Sequence, residues 1–328
     1  MIVVHKSYNE LFNIDNFFAS WGVFRRGKTK KMDVMNFEMH LEDNIFNLFD
    51  EFKNGKYEHS PYKKFQIFDN KKRDINKAQV RDRIVHQIIF DYLTNIFEPV
   101  FISESYSSRV GKGQYKAIDN LRYFIKLSTS NKNSCYILKC DVKKYFDSVD
   151  HAVLLNIITE KIEDGDILEI IKKIIYSYHS RCGLFKGVPL GNITSQVFAN
   201  IYLNALDLYV KKELKCRFYI RYNDDFVIIS DNKKKLVKIR DEIIKMLAEK
   251  LLLEIPIEKT SIRNVFWGID FLGFVILPKA VLLRNKTKDK IYKNLSPNNA
   301  ISYLGILKHC ASYHLKRKIL SMDKISRF

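Results

Sequence analysis

Between residues 34 and 52, apolar side chains return every three or four positions: Val34, Phe37, Leu41, Ile45, Leu48 and Phe52. That spacing predicts one amphipathic helix, stopped by Asn54-Gly55. The same period predicts a helix over 79–99 through Val80, Ile84, Ile88 and Tyr92, with Pro99 ending it. It predicts others over 152–177 and 194–214, and one over 233–251 with Leu236, Ile239, Ile243, Met246 and Leu247 on one face. Period-two or continuous apolar runs mark strands. In 61–76, KKFQIF faces a second strand starting near Arg73 across a DN turn. CYILKCDV (135–142) is a strand that closes on an acid. CRFYIRY and FVIIS are separated only by Asn223-Asp224-Asp225, a hairpin with two carboxylates at its tip. Two further strands are expected at 252–257 and 269–277, then a basic helical tail over 284–328. FRRGKTKK (24–31) reads as a basic connector, and SSRVGKGQYKAI (107–118) as a glycine-punctuated turn entering a helix. The order predicts an α+β fold, an antiparallel sheet with helices on one face.

Charge narrows the partners. The 56 Lys and Arg outnumber the 37 Asp and Glu, a formal net charge of +19. Such a surplus favours a polyanion, because each cation that neutralises a phosphate releases condensed counterions. Five cysteines, odd in number and without a CxxC pair, indicate neither a disulfide framework nor a zinc site. They fit a reducing, cytoplasmic setting. No run approaches the ~18 apolar residues of a membrane span, so no membrane partner is expected.

Acids at the ends of apolar strands are costly unless exposed or bound to something positive. Asp141 closes one such strand, and Asp224 and Asp225 sit at the hairpin tip. A divalent cation relieves the repulsion between neighbouring carboxylates, and Mg²⁺ takes a few carboxylates together with phosphate oxygens. An Asp pair in a turn is by itself an ordinary turn signal. The recurrence of acids at two strand ends is not.

The motifs around these acids carry a resemblance. Tyr222-Asn223-Asp224-Asp225 resembles the YxDD box of reverse transcriptases, and CDVKKYFDSVDH (140–151) their first catalytic box. GVPLGNITSQVFANIYLNALD (187–207) resembles the box between them, and WGIDFLGFVI (267–276) the primer-grip hairpin. RDRIVHQIIFDYL (81–93) and SYSSRVGKGQYKAI (105–118) resemble fingers segments of bacterial members. The resemblance implies a right-hand polymerase with an antiparallel ferredoxin-like palm sheet. Residues 1–134 would supply an N-terminal extension and fingers, 135–277 the palm with an inserted connecting helix, and 278–328 a short basic thumb. That thumb would track a template–primer backbone through Arg284, Lys286, Lys288, Lys290, Lys293, Lys316, Arg317 and Lys318. The resemblance also implies two Mg²⁺ ions on Asp141, Asp224, Asp225 and the backbone carbonyl of Val142. Phe146 would lie under the nucleotide sugar, Lys64 and Arg73 would hold the incoming triphosphate, and Lys259 would protonate pyrophosphate. Leu190, Gly191, Gln196 and Tyr222 would line the nucleotide site.

Departures refine the expectation. Many members have Gln-Gly where this chain has Leu190-Gly191, and Ser-Pro where it has Ser195-Gln196. Loss of the polar Gln should loosen discrimination at the templating base. The Leu-Gly-Asn-x-Thr-Ser-Gln form resembles reverse transcriptases of diversity-generating retroelements, and short defence-associated members share parts of it. Asn223 is unusual in either. About fifty residues follow the FLG hairpin. That leaves no room here for an RNase H, HNH or maturase domain and points away from a group II intron protein. The expected partners are an RNA template, a DNA primer, dNTPs and a structured RNA or accessory protein, with oligomerisation left open. Two other readings stand beside this one. One is template-independent or protein-primed synthesis; the other is a silent RNA-binding scaffold, which would have no need of all three acids.

Overall fold

A computed structural model describes residues 6–69, 71–130 and 134–321. In chain order the helices and strands open with α1 (Tyr8–Leu11), α2 (Ile14–Arg25), α3 (Met32–Glu38), α4 (Leu41–Lys53), β1 (Lys63–Asp69), β2 (Lys71–Lys77), α5 (Val80–Phe97) and α6 (Gln114–Thr129). Next come β3 (Tyr136–Asp141), α7 (Tyr145–Ser148), α8 (His151–Thr159), α9 (Gly165–Tyr176), α10 (Ile193–Leu208), β4 (Phe218–Tyr222), β5 (Asp225–Ser230) and α11 (Lys233–Lys250). The chain closes with β6 (Thr260–Asn264), β7 (Ile269–Phe271), β8 (Phe274–Ile276), β9 (Val281–Leu283), α12 (Asn285–Asn294), α13 (Ala300–Leu307) and α14 (Tyr313–Leu320). Two compact units result: one of residues 1–102, 142–208 and 245–254, the other of 103–141, 209–244 and 255–328.

The first unit is built around α5. Ile84, Val85, Ile88, Ile89 and Leu93 are buried, and α2, α4 and α10 pack on them. Strands β1 and β2 form an antiparallel hairpin pairing Lys64 with Asn76 and Ile67 with Arg73. The DN turn expected between them includes Asn70, which lies outside the described residues. Asp150 and Asp164 cap α8 and α9 by accepting from the first free backbone N–H groups, so neither acid needs another role.

In the second unit β4, β5, β3 and β6 form an antiparallel sheet in that order. With helices between β3 and β4 and between β5 and β6, this is the split β-α-β-β-α-β arrangement. One hydrophobic cluster joins the sheet (Ile137, Ile220, Val227) to α6 (Ile118, Leu121), to the β7–β8–β9 sheet (Phe271, Phe274) and to the last three helices (Ile291, Leu307, Leu315).

Several expectations shift. The single helix over 34–52 breaks into α3 and α4 at Met39-His40, where His40 leaves helical geometry (φ −126°, ψ 45°). The helix over 152–177 breaks before Asp164, which starts a new helix as its N-cap. Residues 252–257 are not a strand. Leu251, Leu253 and Ile255 bury in alternation as a strand would, but Leu252 turns to φ 50° and Pro256 has no N–H to give a ladder. The fourth strand of the sheet is instead Thr260–Asn264. The 269–277 strand is a hairpin turning on Leu272-Gly273, both at positive φ (51° and 85°), as a tight two-residue turn demands. All five cysteines are free thiols. Among the described residues no helix is long and apolar enough to cross a membrane.

Candidate active site

Strand pairing sets Asp141 beside Asp225, with Asp224 in the adjoining turn. Asp141, the last residue of β3, is the direct cross-strand partner of Asp225, the first residue of β5. Asp225 also pairs with Tyr222 on its other side, leaving Asn223-Asp224 as a two-residue turn. Asn223 takes φ 52°, a left-handed conformation that Asn tolerates better than most side chains. The unusual residue in this box therefore has a backbone reason.

Each acid meets a different environment. Burial, and then the charge of Asp141, pushes the Asp224 carboxyl up to about 6. Burial pushes that of Asp225 up to about 7 against the opposing pull of Lys139. Lys139 lies two residues before Asp141, on the same face of β3. Its Nζ is 3.1 Å from Asp225 Oδ2 and donates to the Asp270 carbonyl at 2.7 Å. Lys259 donates to Asp141 Oδ2 at 2.9 Å. Sequence reasoning named Lys259 and missed Lys139, although the alternation of side chains along the strand carried the signal.

Among the described residues, no three His, Cys, Asp or Glu side chains stand close enough to hold one metal ion. Lysines hold two of the acids instead, supplying the positive charge that a cation would bring. The donor set still suits a hard divalent ion. It consists of carboxylate oxygens, and Asp225 Oδ1 is buried without a hydrogen-bond partner. A buried carboxylate oxygen without a described hydrogen-bond partner, on one of two neighbouring acids whose carboxyls burial raises, is the electrostatic shape of a cation site.

The remaining expected residues belong to the first unit. Strand alternation separates two that were expected to act together. Arg73 shares a face of the hairpin with Ile75, and Lys64 shares the opposite face with Asp74 and Asn76. The loop before α10 docks on the Ile75–Ala78 end of β2. The Asn76 N–H donates to the Leu190 carbonyl at 3.0 Å. Asn192, buried, accepts from the Ala78 N–H at 3.1 Å and donates to the Asn76 carbonyl at 2.7 Å. Gly191 has φ 111°, and a Cβ there would come within 2.8 Å of Ile75 Cγ2. Phe146 is half-buried in α7, and its carbonyl accepts from Val188 N–H at 2.8 Å, next to the same loop. Val142 is buried, and Gln196 is exposed on the first turn of α10. Lys64 instead lines a cavity of about 380 Å³ with Gln66, Asp74, Tyr178 and Arg181.

A family model described as "Reverse transcriptase (RNA-dependent DNA polymerase)" matches residues 62–276. Protein YkfC of Escherichia coli (strain K12) is 28% identical over 268 residues, with 70% of each chain covered. The group II intron-encoded protein LtrA of Lactococcus lactis subsp. cremoris is 23% identical over 308 residues, which cover 72% of this chain and 50% of LtrA. Similarity to an intron-encoded protein is thus present, contrary to the expectation drawn from the short stretch after the FLG hairpin. Among solved structures, the telomerase of Candida albicans with a TWJ fragment of telomeric RNA superposes with a TM-score of 0.53 at 14% identity. That match covers 75% of this chain and 52% of the telomerase. The apo telomerase of Candida tropicalis gives 0.52 at 16% identity, covering 75% and 53%. The telomerase likenesses show the right-hand polymerase fold, and the chain spans about half the length of LtrA and of both telomerases.

Proposed function

This chain belongs to the reverse transcriptase family of RNA-directed DNA polymerases, and from that premise we propose that Asp141, Asp224 and Asp225 form its nucleotidyl-transfer site. One observation carries the assignment: the Asp141–Asp225 strand pair sets two carboxylates side by side, with a buried Asp225 oxygen that none of the described residues satisfies. Two divalent ions bound there, with the Val142 carbonyl as a further ligand, would ease ionisation of a primer 3′-hydroxyl and neutralise the leaving pyrophosphate. In that reaction the 3′-oxygen would bond to the α-phosphorus, the α–β phosphoanhydride would break with pyrophosphate leaving, and the hydroxyl proton would pass to solvent.

The chain's own residues prepare that step. Arg73, on the same hairpin face as Ile75, would hold a triphosphate, and cations there stabilise charge building on phosphoryl oxygens. Phe146 would exclude a 2′-hydroxyl, and Tyr222 would line the nucleotide site. Lys259, already bonded to Asp141, would release it as a cation binds and then stand as acid for pyrophosphate. Gln196 would lie along the nucleotide path. We assign fingers, palm and thumb to 1–134, 135–277 and 278–328.

The finer reading is a low-fidelity enzyme of a diversity-generating or defence system that works with a structured RNA. Leu190 in place of a polar residue supports reduced fidelity, and the surplus of 56 Lys and Arg over 37 Asp and Glu supports an extensive RNA partner. Primer extension on an RNA template with Mg²⁺ and dNTPs tests the core of the proposal. Template-length DNA is expected from the wild type and none from an Asp224→Asn/Asp225→Asn double variant. Equal synthesis by both would sink it.

A further inference from the structure

Arg221, directly before the Tyr222–Asp225 box, is among the largest fully buried side chains in the described protein. A guanidinium without water is costly unless its donors are used. Here Nη1 donates to the Asn223 carbonyl at 3.1 Å, and Nη2 donates to Ser105 Oγ at 3.1 Å. Ser105 is also fully buried. The main chain is held too. Arg221 N–H donates to the Glu104 carbonyl at 3.0 Å, and its carbonyl accepts from Tyr106 N–H at 3.0 Å. Residues 104–106 therefore lie parallel against β4 at this one position.

The acceptor on the turn matters. The Asn223 carbonyl belongs to the peptide whose other end is the Asp224 N–H. Asn223 is left-handed at φ 52°, a conformation with a small allowed region. Fixing that carbonyl fixes the peptide plane from which Asp224 springs. The anchoring segment is itself tied down. Arg109 Nη1 donates to the Ser105 carbonyl at 2.8 Å, Lys112 Nζ to the Ser103 carbonyl at 2.8 Å, and Gly113 N–H to the Tyr106 carbonyl at 2.9 Å. A lysine could not replace the arginine, because one ammonium lacks the planar fork that spans two acceptors.

We propose that Arg221 is a positioning residue. It clamps the Asn223-Asp224 peptide to the 103–113 segment and so orients the Asp224 carboxylate for cation binding. The inference rests on the reading of Asp224 and Asp225 as metal ligands, and its test keeps the two apart. In the full chain, Arg221→Met, Arg221→Lys and Ser105→Ala are compared with the wild type by melting, by Mn²⁺ binding in electron paramagnetic resonance, and by kcat and dNTP KM. Arg221→Met and Arg221→Lys should lose about tenfold or more in both Mn²⁺ affinity and kcat, while dNTP KM moves less than about twofold. Ser105→Ala, which keeps the arginine, should shift both in the same direction by about threefold with melting close to that of the wild type. Added guanidinium ion should restore part of the kcat of Arg221→Ala.

Folded Arg221→Met with wild-type Mn²⁺ affinity and kcat overturns the proposal. If the arginine variants do not fold, wild-type Mn²⁺ binding by Ser105→Ala overturns it. Retained Mn²⁺ binding and synthesis in the Asp224→Asn/Asp225→Asn variant would instead mean that the site assignment itself is wrong.

Discussion

Lys139 reaches diagonally across adjacent strands to Asp225, Nζ to Oδ2 at 3.1 Å, and the same ammonium donates to the carbonyl of Asp270. Lys139 thereby occupies the acid and ties the β4–β5–β3–β6 sheet to the β7 strand. Lys139→Met removes the partner of a mostly buried carboxylate. Stability in divalent-free buffer is expected to fall by about 2 kcal/mol, since an unpaired buried charge costs more than the pair gains. Chemical denaturation with EDTA present measures it, and an unchanged midpoint would show that water serves Asp225 equally well.

Asp225 sets a pH dependence with a definite sign. Its carboxyl rises from an ordinary 3.8 to about 7 in the folded protein. The native state therefore holds a proton that the unfolded chain has released, so stability without divalent ions falls as pH rises between about 4 and 7. Buried His86, whose proton affinity burial lowers, works in the opposite direction. The comparison that isolates Asp225 is therefore with Asp225→Asn. The variant is expected to lose part of the downward slope and to melt above the wild type at pH 8 in EDTA. Parallel melting curves for the two proteins would rule this out.

Opposite faces of the β1–β2 hairpin separate two cations that sequence motifs placed together. Arg73 lies on the face of Ile75, and Lys64 lies on the other. Arg73→Ala should raise dNTP KM by about tenfold, whereas Lys64→Ala should change it less than about threefold. Steady-state kinetics on a fixed primer–template decides, and equal effects would mean that the hairpin twists enough to use both.

Gly191 is constrained twice. Its φ of 111° excludes an L side chain, and a Cβ would come within 2.8 Å of Ile75 Cγ2. Gly191→Ala should cost about tenfold or more in kcat/KM. Combining it with Ile75→Ala removes the clash but not the backbone strain, so recovery should be partial at most. Full recovery in the double variant would assign the whole effect to the contact.

The strand-end positions of the three candidate acids were legible because strand alternation and the apolar runs around them are strong. YILKC and FVIIS each announce a buried strand, and the acids stand at their ends. Other features were hidden for physical reasons. Apolar spacing continues from Phe37 to Leu41 across the break at Met39-His40, so periodicity alone joins two helices. TSIRN (260–264) has too little apolar character to announce itself as a sheet strand, and it is held there by pairing with β3. Leu251, Leu253 and Ile255 imitate a strand with side chains alone. The burial of Arg221 could not be read from FYIRY, because it depends on residues distant in sequence, such as 104–106, which pair with β4.

The direct pairing of Asp141 with Asp225 limits how this chain can change in length. Side chains alternate along a strand, so one residue gained or lost within 136–141 or 225–230 would turn an acid to the far face and part it from its neighbour. Relatives that preserve the chemistry should therefore carry their insertions and deletions elsewhere, such as before Asp164 or after Ile276. The spacing inside these two strands should remain constant however far the rest of the sequence drifts.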